Sequence, residues 1–196
     1  MSEAGLRSLV SIVLSSPAIS KINFKLRGYL IYQEGFSRVK SAVRSGQISV
    51  AVDDAAIGSD QAAYRFKSNT IILKSSAIKS TAISIDVRAS IVHECLHALF
   101  DMDRIDFVSP FEEEACAGLT SAIYTLHHTG KHYIRKGSRF FRKGATVHSL
   151  AEQVSRSRGT ELSSDPLFQS AYLEAGDIYL DKYSWYGKRT GLHNGI

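Results

Sequence analysis

The sequence predicts an α+β protein, in which a small sheet of about three strands packs against a helix and the C-terminal half is helical. Residues 47–73 contain short segments in which apolar and polar residues alternate, and short apolar runs separated by turn residues. Both patterns are typical of β-strands. From Asp86 onward, apolar residues recur every three or four positions, as in amphipathic helices. With 196 residues, 44% of them hydrophobic, the chain can bury a core, and we expect a single domain over residues 1–196.

The N-terminal part, residues 1–46, is predicted to form two helices. Residues 4–15 place an apolar stripe on one helical face. A second periodic segment covers residues 28–44 and is followed by Gly46, a residue that commonly ends helices.

The middle part, residues 47–128, begins with predicted strands. Residues 47–52 alternate between apolar and polar side chains. Residues 63–66 and 70–73 flank a short polar turn and are expected to pair as a hairpin. Residues 53–61 are expected to form a loop.

Four helices are predicted after the strands. Asp86 is the expected N-cap of the first. Ser109 is the expected N-cap of the second, with Pro110 at its first position and Glu112 as the acid of a capping box. The last two helices lie in the C-terminal part, residues 129–196. The four span about residues 86–101, 109–127, 147–158 and 166–179.

The net charge of +5 is concentrated in one segment. Between Lys131 and Lys143 six of thirteen residues are basic and none is acidic, so the rest of the chain is nearly neutral. This basic segment, residues 131–143, is expected to be a solvated loop or a surface for an acidic protein or peptide. Nucleic acid is the least favoured partner.

Apolar runs and cysteines indicate the compartment. No run approaches the ~20 apolar residues of a membrane span, and the run at residues 9–14 is shorter than a signal-peptide core. Cys95 and Cys116 match no zinc-ribbon pattern and are expected to be buried thiols. We therefore expect a cytoplasmic protein with no membrane span.

The strongest motif is His93-Glu94-Cys95-Leu96-His97. Residues four apart share a helical face, so His93 and His97 can offer both imidazoles to one metal ion. Glu94 lies about 100° around the helix, close to the metal without having to bind it. The alternative without metal binding is a helix with two exposed histidines.

A catalytic zinc site usually needs a third protein ligand. Asp103 has the spacing of the third metzincin ligand, but Phe100 replaces the glycine at which such chains turn back. His127 and His132 have no supporting spacing. The acidic run at residues 112–114 on the next helix is the best source.

Within this acidic run, helical faces rank the three glutamates. Glu112 is engaged by the predicted capping box. Glu114 shares its face with the small residues Ala117 and Gly118, which let two helices approach closely enough to hold a metal between them. Glu113 is the second choice.

Other polar residues are candidates for supporting roles. Asp101, four residues after His97, could accept the second imidazole N–H, or it could lie at a solvated helix end. An oxyanion donor is also expected. Its candidates are Tyr124, His127, His128, His132 and Tyr133.

The motif HECLH, followed after a short loop by EEEACAG, resembles the gluzincin metallopeptidases, in particular the small single-domain bacterial members known as minigluzincins. The resemblance covers about residues 47–128. It implies a zincin-like fold in which the sheet packs against the motif helix and residues 70–73 form the edge strand along the cleft.

The resemblance also implies a function. Zn²⁺ would be held by His93, His97 and Glu114, and Glu94 would act as general base toward a zinc-bound water in the hydrolysis of a peptide or protein substrate. The alternative is a metal-stabilised regulatory or binding module whose basic segment docks on a protein or nucleic-acid partner, with little or no peptidase activity. Glu94 favours the enzyme, because a structural zinc site needs a fourth ligand and no such glutamate.

Overall fold

A computed structural model describes residues 2–57, 60–78, 83–106, 108–132, 141 and 145–182. These residues form an α+β structure, which confirms the predicted fold class. In chain order the elements are α1 (Glu3–Leu14), β1 (Asn23–Leu26), β2 (Tyr29–Tyr32), α2 (Gln33–Ser45), β3 (Ser49–Val52), α3 (Asp54–Ile57), β4 (Ala62–Arg65), β5 (Thr70–Leu73), α4 (Ile85–Met102), α5 (Pro110–Thr129), α6 (Thr146–Arg156), β6 (Thr160–Glu161) and α7 (Pro166–Lys182).

The described residues divide into two compact units. The first contains residues 2–16 and the described residues of 34–105, and the second contains residues 17–33 and the described residues from 106 onward. The expectation of one domain over residues 1–196 stays a prediction. Among the described residues, no helix combines the length and the apolar composition needed to cross a membrane.

The sheet of the first unit has the strand order β3-β5-β4, with β3 parallel and β4 antiparallel to β5. The hairpin predicted from residues 63–66 and 70–73 is confirmed as β4–β5. The expectation that residues 70–73 form an edge strand is wrong, because β5 is central. Ile71, Ile72 and Leu73 are all buried, as expected of a strand covered on both faces. The edge strand β4 packs against α4, so the sheet does lie on the motif helix.

The helices of the first unit largely follow the predictions. α1 confirms the helix expected over residues 4–15, and it packs against β3 and α4. The short helix α3 lies within the loop expected over residues 53–61. The N-cap of α4 is Ser84, whose Oγ accepts a hydrogen bond from the N–H of Val87 at 3.3 Å. The prediction of Asp86 as N-cap is therefore wrong. Asp86 lies in the first turn, where its negative charge suits the helix dipole.

The sheet of the second unit has the order β2-β1-β6, with β1 antiparallel to β2 and parallel to β6. The helix predicted over residues 28–44 begins only at Gln33, because the residues before it form β2. Arg27 and Gly28 form the two-residue turn between β1 and β2, with φ of 51° and 81°. Two successive positive φ angles match the twist of a tight hairpin, which explains why the chain reverses here.

α5 begins and ends as predicted. Ser109 Oγ accepts a hydrogen bond from the N–H of Glu112 at 3.2 Å, and the Glu112 carboxylate accepts one from the N–H of Ser109 at 2.9 Å. This capping box is the predicted one. The helix ends at Gly130, with φ of 71°. α6 and α7 confirm the helices expected at residues 147–158 and 166–179, and both pack against α5.

Candidate metal centre

Helix α4 places His93 and His97 on one face, as the spacing predicts. Their ring centroids lie 4.9 Å apart, with an interplanar angle of 67°. His97 is 5% exposed, whereas His93 is partly exposed. The alternative of a helix with two exposed histidines is therefore wrong, because His97 is buried.

Glu114 joins these two histidines. One ligand atom each from His93, His97 and Glu114 lies within 4.8 Å of the others, and no other such group of three metal-binding side chains occurs among the described residues. Ligand atoms around tetrahedral zinc lie roughly 3.4 Å apart, a separation that falls within this 4.8 Å limit. Two imidazoles and one carboxylate are a donor set typical of catalytic zinc. The cluster could therefore hold a metal ion.

Glu112 and Glu113 are not part of this group. Both oxygens of Glu112 are engaged, one by the N–H of Ser109 and the other by the Arg27 guanidinium. Glu113 is buried at 7% exposure. The geometry thus favours Glu114 over Glu113. The role of Glu114 as a metal ligand stays a prediction.

The alternative third ligands have other partners. Asp103 lies at the C-terminal end of α4 and forms an ion pair with Arg38. His132 Nε2 lies 2.9 Å from a carboxylate oxygen of Glu152. Neither Asp103 nor His132 belongs to the histidine–glutamate group, and the same holds for His127.

Helix α5 also removes three candidates for the oxyanion donor. It is continuous, with a rise of about 1.5 Å per residue. The Cα atoms of Tyr124, His127 and His128 therefore lie roughly 15 to 21 Å along the helix axis from the Cα atom of Glu114. Tyr124 stacks on His128, with ring centroids 5.3 Å apart. These three predictions are therefore wrong, because the length of the helix separates them from Glu114. Tyr133 lies outside the described residues.

Asp101 lies in the core at 0% exposure, so the expectation of a solvated helix end is wrong. Its carboxylate accepts a hydrogen bond from the hydroxyl of Tyr64 at 2.8 Å. Tyr64 was not among the residues singled out from the sequence. Its position could have indicated burial, because it lies two residues after Ala62 on the buried face of strand β4.

Glu94 and the two cysteines are buried. Glu94 is 9% exposed and directly follows His93 on α4. Cys95 and Cys116 are free thiols with 0% exposure, as predicted. Burial raises the pKa of both thiols well above its ordinary value.

Most of the basic segment lies outside the described residues. Lys131, His132 and Phe141 are described, whereas residues 133–140 and 142–144 are not. The predicted role of this segment therefore stays a prediction.

Comparisons with protein-family models, with curated proteins and with solved structures find no match to this chain. The residues of the candidate centre and their chemistry therefore carry the functional conclusion.

Proposed function

We propose that this protein is a zinc-dependent metallopeptidase of the gluzincin type. His93, His97 and Glu114 would hold Zn²⁺, and Glu94 would act as the general base. The single observation that carries the proposal is the approach of two imidazoles and one carboxylate within 4.8 Å, next to a buried glutamate on the same helix as the histidines.

Among the described residues, the number of candidate ligands supports a catalytic rather than a structural site. Structural zinc sites are closed by four protein ligands, whereas catalytic sites have three and leave one position for water. Cys95 and Cys116, the two thiols of the chain, are not part of the group. The mixed imidazole and carboxylate set suits Zn²⁺.

Glu94 supplies the proton chemistry. When bound, zinc lowers the pKa of a water ligand toward ~7 and polarises a carbonyl. Glu94 directly follows His93, so its carboxylate can take the proton of the attacking water and then deliver it to the leaving amine. Its low exposure limits competing contact with bulk water.

Strand β4 supports a peptide substrate and a zincin-like arrangement. The N–H of Lys74 donates to the carbonyl of Gln61 at 3.0 Å, which extends the pairing of β4 with β5. Backbone groups of an antiparallel strand alternate in direction, so those of Ala62 and Tyr64 point away from β5. An extended peptide can pair with such an edge beside the motif helix.

Metal analysis combined with a peptide-library cleavage assay tests this proposal. We expect one zinc per wild-type chain, and cleavage that is lost on chelation and restored by zinc. Glu94→Gln should retain zinc and lower kcat/KM by about 100- to 10,000-fold. Glu114→Gln should lose zinc, whereas the matched control Glu113→Gln should keep it.

Two results would contradict the proposal. Wild-type protein that cannot take up zinc would exclude the metal site. Zinc-loaded protein that cleaves no peptide in the library would instead favour the metal-stabilised binding module.

A further inference from the structure

The buried face of α4 carries a carboxylate one turn after His97. Asp101 is fully removed from solvent, and a buried carboxylate is stable only with hydrogen-bond partners. Tyr64 supplies one partner from strand β4, with its hydroxyl 2.8 Å from Asp101 Oδ2. Neither residue belongs to the group of candidate metal ligands.

Helix geometry directs Asp101 toward His97. Side chains on a helix tilt toward its N-terminus, so the Asp101 carboxylate extends over the turn that contains His97. An imidazole that binds a metal through one nitrogen carries a proton on the other. A carboxylate that accepts this N–H fixes the tautomer and the ring orientation.

Phe66 connects the same stretch of chain to His97. The Phe66 ring packs edge-on against the ring of Tyr64, with centroids 5.2 Å apart, and against the imidazole of His97 at 6.2 Å. The segment that supplies the tyrosine hydroxyl therefore also packs against the imidazole. The orientations of Tyr64 and His97 are restricted together.

We infer that Asp101 accepts a hydrogen bond from His97, and that Tyr64 holds Asp101 in the orientation that this bond requires. Tyr64 and Asp101 are thus positioning residues that act on metal affinity through His97. The inference rests on the proposed zinc site.

Zinc affinity of the full-length chain tests the pair. The dissociation constant is measured by competition with a chromophoric chelator for wild type, Asp101→Asn, Tyr64→Phe and the double variant. We expect Asp101→Asn to weaken zinc binding about 10- to 100-fold and Tyr64→Phe about 3- to 10-fold. Because Tyr64 acts through Asp101, the double variant should bind no more weakly than Asp101→Asn alone.

A matched control and a second readout separate positioning from loss of folding. Tyr124→Phe also removes a buried tyrosine hydroxyl, one with no hydrogen-bond partner among the described residues, and should leave zinc affinity unchanged. The visible spectrum of the cobalt-substituted protein should change in Tyr64→Phe and remain as in wild type in Tyr124→Phe. Should Asp101→Asn fail to fold, Tyr64→Phe still tests the inference through both readouts.

The outcomes separate the two proposals. Wild-type protein without zinc affinity overturns the proposed function. Wild-type protein that binds zinc, together with a folded Tyr64→Phe variant of equal affinity and unchanged cobalt spectrum, overturns the positioning role alone. Fold-losses that multiply in the double variant would mean that Tyr64 acts independently of Asp101, which also overturns it.

Discussion

Arg27 donates to one oxygen of the Glu112 carboxylate through both Nε, at 3.2 Å, and Nη2, at 2.8 Å. The other oxygen accepts the N–H of Ser109 at the start of α5. The turn between β1 and β2 is thereby tied to the beginning of the helix that carries Glu114. Both oxygens of Glu112 therefore already have donors, and Glu112 lies outside the histidine–glutamate group.

Replacing Arg27 with methionine should destabilise the protein by about 1 kcal/mol, because it leaves the largely buried Glu112 carboxylate without its guanidinium partner. Urea unfolding measures the change. The matched control is Arg156→Met, which breaks an exposed pair with Glu152 and should cost less than about 0.5 kcal/mol. Equal losses in the two variants would contradict the role given to Arg27.

The features predicted correctly from the sequence depend on neighbouring residues. The capping box of α5 joins Ser109 and Glu112, three positions apart, so its geometry is encoded locally. The shared face of His93 and His97 follows from helical periodicity alone. The ranking of Glu114 as a metal ligand, which stays a prediction, also used only the faces of one helix.

The features that were missed depend on pairing between distant residues. The hydrogen bond from Tyr64 to Asp101 joins a strand to a helix that begins twenty residues later. The hairpin turn at Arg27 and Gly28 lacks the Asn-Gly or Asp-Gly sequence that usually marks such turns. The central position of β5 did have a local signal, because Ile71 to Leu73 is an unbroken apolar run rather than an alternating one.

Gly35 on α2 lies so close to α4 that a Cβ there would be 2.7 Å from Leu99 Cδ2. Gly35→Ala should therefore destabilise the protein by about 1 kcal/mol, because the clash with a fully buried leucine outweighs the gain in helix propensity. In a Leu99→Ala background the same substitution should become neutral or stabilising, because the space is then open. A double-mutant cycle of unfolding free energies measures this coupling. Equal effects in both backgrounds would exclude a steric origin.

The thiols of Cys95 and Cys116 should be inert in the native protein. Burial blocks access to both and raises the pKa of each, so little reactive thiolate is present. A chromogenic thiol reagent at mildly alkaline pH should label neither cysteine in native protein, and both in guanidinium chloride. The variants Cys95→Ala and Cys116→Ala assign any residual signal. Rapid labelling of the native protein would contradict their place in the core.

The carboxylate of Glu161 binds the turn between β1 and β2. It accepts the backbone N–H of Arg27 and of Gly28, each at 3.0 Å, and the hydroxyl and N–H of Ser163. Partial burial acts to raise the pKa of Glu161, but these hydrogen bonds, led by that of the Ser163 hydroxyl, outweigh it and lower the pKa to about 2. The ionised form is therefore stabilised in the folded state.

This depressed pKa predicts a pH dependence of stability. A carboxylate whose pKa falls on folding contributes stability above its ordinary value of 4.5, and the contribution is lost as pH falls toward about 2. The unfolding free energy of wild type should thus fall more steeply than that of Glu161→Gln between about pH 5 and pH 3, by at most about 1 kcal/mol because the side chain is exposed to solvent. Ser163→Ala keeps the carboxylate but removes one donor, so an NMR titration should give Glu161 a higher midpoint than in wild type. Parallel pH profiles for wild type and Glu161→Gln would mean that the ionised carboxylate adds nothing to the stability of the turn.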